Sequence, residues 1–127
     1  MTYKVLIVDD SKLARMAAAK MLTDCHPDWS SVEAGSAALA MSAVNSHSPD
    51  IALVDFNMPG ADGLNLAAEL RKLKPAMPIA LISANHQQQI VDRAHALGAA
   101  FLPKPLSQKS LQAFLESAIQ ELKASTR

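Results

Sequence analysis

Asp9 and Asp10 stand side by side at the end of the apolar run "VLIV", where two like charges repel unless a cation or water serves both. A third carboxylate, Asp55, closes the run "IALV", Ser83 closes "IALI", and Lys104 lies between Pro103 and Pro105 after a fifth apolar run. Brought together, three carboxylates, a hydroxyl and an ammonium are equipment for holding a phosphoryl group. A carboxylate can attack phosphorus as a nucleophile, and the transfer itself depends mainly on positioning and on neutralising charge. The ligands are hard oxygens, with no clustered histidine or cysteine, and too few to cage an ion without water. That donor set favours Mg²⁺ over Zn²⁺ or a fully caged Ca²⁺.

Singly, each residue has an ordinary structural use: an Asp caps a helix, a Ser sits in a loop, and Lys-Pro turns at a surface. What points to chemistry is their occurrence at successive strand ends. The apolar runs are Tyr3 to Val8, Ser31 to Ala34 (the weakest), Ile51 to Val54, Ile79 to Ile82 and Ala99 to Leu102. Several are continuous rather than alternating, as in strands covered on both faces, and stretches of helical periodicity separate them. This is an α/β chain: a five-stranded parallel sheet with five helices on both faces, expected in the order 2-1-3-4-5. In such a sheet all strand ends share one edge, and ligands bind where the strand order reverses. Asp10 and Asp55 would then be one strand spacing apart, about 4.8 Å, with Ser83 one strand further.

The helices carry marks of their own. Leu111, Phe114, Leu115, Ala118 and Leu122 form one stripe in the last, with Ser107 as N-cap and Leu106 stapled to Leu111. In the first, Ser11 is the cap, His26-Pro27 the stop, and Leu13, Met16, Ala17 and Met21 are expected to face inward. The expected domain is 1–123, with 124–127 as a tail. With 127 residues, 50% of them hydrophobic, the chain can bury one core. Twelve basic residues balance twelve acidic ones, so the footprint of a nucleic-acid or anionic-membrane binder is missing. A lone Cys25, no secretory leader and no membrane-length apolar run indicate a cytoplasmic protein, and Cys25 reads as a small apolar residue. His26, His47, His86 and His95 lack metal-ligand spacing, Trp29 reads as packing, and Gln87 to Gln89 as a solvated face.

Four motifs, "VDDS", "DFNMPGADG", "SAN" and "FLPKP", resemble over essentially the whole chain the receiver domain of two-component response regulators. The resemblance implies Asp55 as phosphoacceptor, Asp10 as a direct Mg²⁺ ligand, Asp9 acting chiefly through water, and the backbone carbonyl of Asn57 as a further ligand. It also implies that Lys104 pairs with the phosphoryl group, that Ser83 hydrogen-bonds to it, and that Phe101 is the aromatic whose rotation reports activation. Pro105 matches a proline whose preceding peptide bond is commonly cis, and Asn57 and Asn85 match positions that tune hydrolysis. The implied donor is a sensor histidine kinase or histidine phosphotransfer protein, and the implied output is a protein contact through the fourth helix, fifth strand and fifth helix. The chain would be a phosphoacceptor assisting its own chemistry rather than an enzyme with a separate substrate.

Departures from the pattern are Ser83 for the commoner threonine, Phe101 for a frequent tyrosine, and Leu106 where an aromatic is common. The alternatives are a receiver used without phosphorylation as an interaction or dimerisation module, and a receiver excised from a longer regulator or hybrid kinase. A flavodoxin-like cofactor binder is disfavoured because Asp9 and Asp10 would repel a phosphate. A haloacid dehalogenase-type phosphatase is disfavoured because Asn57 stands where its second aspartate would be.

Overall fold

The computed structural model describes residues 2–58, 61–84 and 87–125. Its main sheet is built from β1 (Lys4–Val8), β2 (Ser30–Ala34), β3 (Ile51–Asp55), β4 (Ile79–Ser83) and β5 (Ala100–Pro103). All neighbours pair in parallel and the spatial order is 2-1-3-4-5, as the sequence leads one to expect. The helices α1 (Lys12–Cys25), α2 (Ala37–His47), α3 (Gly63–Leu73), α4 (Gln88–Ala96) and α5 (Gln108–Ser125) supply the crossovers. None of the described helices is long and apolar enough to cross a membrane.

Strand alternation divides the core in two. Leu6, Val8, Ala52, Val54, Ile79 and Leu81 point to one face and pack with Ala40, Val44, Leu64, Leu70, Ile90 and Ala94 of α2, α3 and α4. Val5, Ile7, Ile51, Leu53, Ala80 and Ile82 point to the other and pack with Leu22 of α1 and with Leu111, Leu115 and Ala118 of α5. Every residue of β3 and β4 is buried, which is why their sequences are unbroken apolar runs up to the terminal Asp55 and Ser83. β2, at the edge, buries Ala34 alone among its five residues, and its weak sequence signal follows from that.

The caps lie where the residue types put them. Ser11 Oγ accepts the Ala14 N–H at 3.2 Å and Ser107 Oγ accepts the Ser110 N–H at 3.1 Å. The rotation of α1 differs from expectation: Leu13 is 78% and Met16 52% exposed, Ala17 is exposed and Met21 half-buried, while Ala18 and Leu22 form the inward contact. The helix is apolar nearly all round in its middle, so two stripes of similar quality compete and periodicity does not choose between them. α5 also runs on to Ser125, into the stretch expected as a tail. The link between β3 and α3 contains a short antiparallel ribbon, Asn57–Met58 with Ala61–Asp62, which the apolar pattern does not announce.

Candidate functional site

Register fixes where the reactive side chains end up. Val8 is level with Val54, so Asp9 and Asp10 leave β1 beside Asp55 at the end of β3. Asp55 is level with Ile82, so Ser83 is one residue further along the adjacent strand, and Ser83 is level with Pro103, immediately before Lys104. The Lys104 N–H donates to the Ser83 carbonyl at 3.0 Å, and the Lys104-Pro105 peptide bond is cis. The Phe56 N–H donates to the Ile82 carbonyl at 2.9 Å, holding the chain against β4 as it passes the site.

Asp9, Asp10 and Asp55 each offer a carboxylate oxygen, and these oxygens lie within 4.8 Å of one another. Lys104 Nζ lies 2.7 Å from Asp55 Oδ1. Asp55 is 2% exposed and Ser83 is wholly buried, in a core that otherwise holds apolar side chains. The Lys104 contact is an ion pair without hydrogen-bond geometry, because Asp55 Oδ1 is a buried atom that accepts no hydrogen bond. At 2.7 Å the two opposite charges attract strongly in this buried setting.

Asp9 responds to this crowding. Burial pushes its carboxyl above the ordinary 3.8; the Ser11 N–H on Oδ1, at 2.9 Å, pulls it down, Asp55 pushes it up, Lys104 pulls it down, and Asp10 pushes it up. Three carboxylates against one ammonium leave negative charge uncompensated, and Asp55 Oδ1 has unused acceptor capacity. The residues present therefore fit a hard divalent cation with water completing its shell, which is the Mg²⁺ pattern.

The remaining expected residues lie around this centre rather than in it. Asn57 is exposed in the small ribbon, two residues past Asp55. Phe101 is half-buried on β5, level with Leu81, against the cluster under α2, α3 and α4. Asn85 and His86 lie outside the described residues. His26 and Trp29 are remote, stacked at 3.9 Å with an 8° interplanar angle, and His47 and His95 are exposed on α2 and α4. Cys25 is half-buried; burial, with Asp24 adding to it, pushes its thiol up, so it is no activated thiolate.

Two residues of the site escape a reading based on reactive side chains. Gly63 starts α3 where a Cβ would fall 2.5 Å from the Asp55 carbonyl oxygen and 2.6 Å from Phe56 Cα, both backbone atoms. Its N–H donates to the Phe56 carbonyl at 3.0 Å, and the preceding Asp62 caps α3 through the Leu64 N–H at 2.8 Å. Arg15 is the other: Nη1 donates to the Asp9 carbonyl at 2.7 Å and Nε to Glu33 Oε1 at 3.1 Å. The glycine that closes "DFNMPGADG" and an arginine one helical turn past the cap were the available signals.

A doubly wound parallel sheet with an acidic cluster at the point where strand order reverses, faced by a lysine from the last strand, defines a class. The chain belongs to the response regulator receiver domain family, which it matches over residues 5–116. It is 35% identical over 124 residues to the transcriptional regulatory protein PdtaR of Mycobacterium tuberculosis, covering 97% of this chain and 60% of that protein. It is 37% identical over 98 residues to the glycerol metabolism activator of Pseudomonas putida, covering 76% of this chain and 44% of that one. The chain thus spans about half the length of the curated relatives it matches. Its fold is like that of the chemotaxis protein CheY4 of Vibrio cholerae, with a TM-score of 0.83 over 93% of this chain and 99% of the other, at 24% identity.

Proposed function

We propose that this chain is a phosphorylation-controlled switch in two-component signalling and that Asp55 accepts the phosphoryl group. The observation that carries the reading is the meeting of Asp55 with the Lys104 ammonium at 2.7 Å, with oxygens of Asp9 and Asp10 within 4.8 Å. The donor is a phosphohistidine on a sensor histidine kinase or histidine phosphotransfer protein. An Asp55 carboxylate oxygen attacks phosphorus as the P–N bond breaks; the bonding pair leaves on the imidazole nitrogen, and the imidazole takes a proton from solvent. Lys104 turns from the free carboxylate to a phosphoryl oxygen, and the Ser83 hydroxyl donates to another. Asp10 directly, Asp9 chiefly through water, Asp55 and the Asn57 backbone carbonyl would hold Mg²⁺, which when bound neutralises the clustered carboxylates and the phosphoryl oxygens.

Reset follows when water attacks phosphorus, the P–O bond to Asp55 breaks, and inorganic phosphate leaves the carboxylate free. Asn57 and Asn85 occupy the sequence positions at which the family tunes the rate of that hydrolysis. Because Ser83 and Phe101 sit on β4 and β5, the added charge shifts a two-state equilibrium there and reshapes the face made by α4, β5 and α5. The signal leaves by contact with a partner protein, in the cytoplasm, from a working unit spanning 1–123, with α5 running on to Ser125 into the tail, 124–127.

Incubation with acetyl phosphate, followed by intact mass, tests the reading. A single phosphoryl adduct that requires Mg²⁺ is expected, and Lys104→Met is expected to slow its formation about a hundredfold. No adduct together with no Mg²⁺ binding overturns the reading, and an interaction or dimerisation module takes its place.

A further inference from the structure

Asp9 is held by all its polar groups. Its N–H donates to the Ala34 carbonyl on β2 at 3.1 Å, its carboxylate accepts the Ser11 N–H at 2.9 Å, and its carbonyl accepts Arg15 Nη1 at 2.7 Å. The last of these is charge-assisted and comes from a planar fork whose second arm is fixed by Glu33 on β2, at 3.1 Å. Arg15 therefore ties α1, the edge strand and the acidic turn together through one side chain. The carbonyl it grips belongs to the peptide plane between Asp9 and Asp10, and the orientation of that plane decides where the Asp10 side chain points.

From this geometry we infer that Arg15, anchored by Glu33, is a positioning residue for the cation site: it fixes the Asp9-Asp10 peptide and thereby sets Mg²⁺ affinity. The inference rests on the metal reading given above. Two simpler roles fit less well. As a surface ion pair, with Arg15 17% and Glu33 39% exposed, the contact contributes little to stability. As a source of charge, Arg15 is aimed at other atoms: Nη1 meets the Asp9 carbonyl and Nε meets Glu33, not a carboxylate of the acidic cluster. What remains is orientation, which requires the guanidinium fork and not merely a cation.

Mg²⁺ titration by calorimetry on the full chain, paired with thermal unfolding without Mg²⁺, tests this. Both Arg15→Met and Arg15→Lys are expected to weaken Mg²⁺ binding about tenfold, the usual scale for groups that orient metal ligands. Arg15→Lys keeps the charge and the helix-compatible stem, so its metal-free unfolding midpoint should match wild type even as its affinity falls. Glu33→Gln retains an acceptor for Nε and should stay within about twofold of wild-type affinity. Wild-type affinity in Arg15→Lys overturns the inference in favour of charge; should Arg15→Met fail to fold, Arg15→Lys still decides. Wild-type protein that binds no Mg²⁺ overturns the metal reading itself, whereas Mg²⁺ binding lost in Asp10→Asn but intact in Arg15→Met overturns this inference alone.

Discussion

At the carboxyl edge of the sheet a buried serine and a buried carboxylate face a lysine and two more carboxylates; at the amino edge the chain closes over three rings. There Trp29 stacks on His26 at 3.9 Å and meets Tyr3 edge-on at 5.1 Å, and Lys4 and Asp50 exchange backbone and carboxylate hydrogen bonds at 2.8 and 2.9 Å. Among the described residues, two buried side-chain atoms lack a hydrogen bond, and there is one at each edge: Asp55 Oδ1 and His26 Nε2. An imidazole nitrogen left without a partner under an aromatic stack is a local cost of desolvation. A carboxylate oxygen beside two other carboxylates, with a single ammonium at 2.7 Å to set against three negative charges, is an electrostatic problem that a further cation solves. The same strands therefore end in packing on one side and in held charge on the other, and the charged edge is where binding energy becomes available.

Two glycines give the sharpest contrast between the edges. Gly63→Ala drives a Cβ to 2.5 Å from backbone at Asp55, where nothing can rotate away, so a loss of about 3 kcal/mol in denaturant unfolding is expected, with the Mg²⁺ response impaired. At the amino edge Gly98→Ala meets only ordinary contact with Arg71, at 3.6 Å, and suffers from its φ of +74° alone, so about 1 kcal/mol is expected and the Mg²⁺ response is unchanged. Equal costs would break the comparison. Trp29→Ala removes the half-buried ring on which His26 stacks; unfolding should detect a loss of about 2 kcal/mol while acetyl phosphate labelling proceeds at the wild-type rate.

A smaller effect distinguishes the edges by pH. Because the Asp9 carboxyl is raised above 3.8, the folded state holds its proton more tightly than the unfolded state. The resulting stabilisation is complete below 3.8 and disappears as pH rises through the folded-state value. Without Mg²⁺, stability should therefore fall over that interval, and Asp9→Asn should abolish this part of the slope. A slope that persists unchanged in Asp9→Asn would assign it to another group.

How much of this could be read beforehand depends on what each residue leaves in the pattern. β3 and β4, buried throughout, show as unbroken apolar runs, and the reactive residues at their ends were legible because the strands were. The rotation of α1 was not, since Leu13, Met16 and Ala17 compete with Ala18 and Leu22 for the inward side and the sheet decides between them. Gly63 acts through the room it leaves, and Arg15 acts on a backbone carbonyl. The Glu33 side chain that anchors Arg15 lies on another element, 18 residues away, so neither role leaves a recognisable spacing in the sequence.

The most direct test of the central claim is to locate the acyl phosphate. Protein treated with acetyl phosphate and Mg²⁺ is reduced with borohydride, which turns a phosphorylated aspartate into homoserine, and the digest is mapped by mass. The expected result is homoserine at position 55 alone, absent without Mg²⁺ and absent in Asp55→Asn. Homoserine at position 9 or 10, or labelling that survives Asp55→Asn, would contradict it.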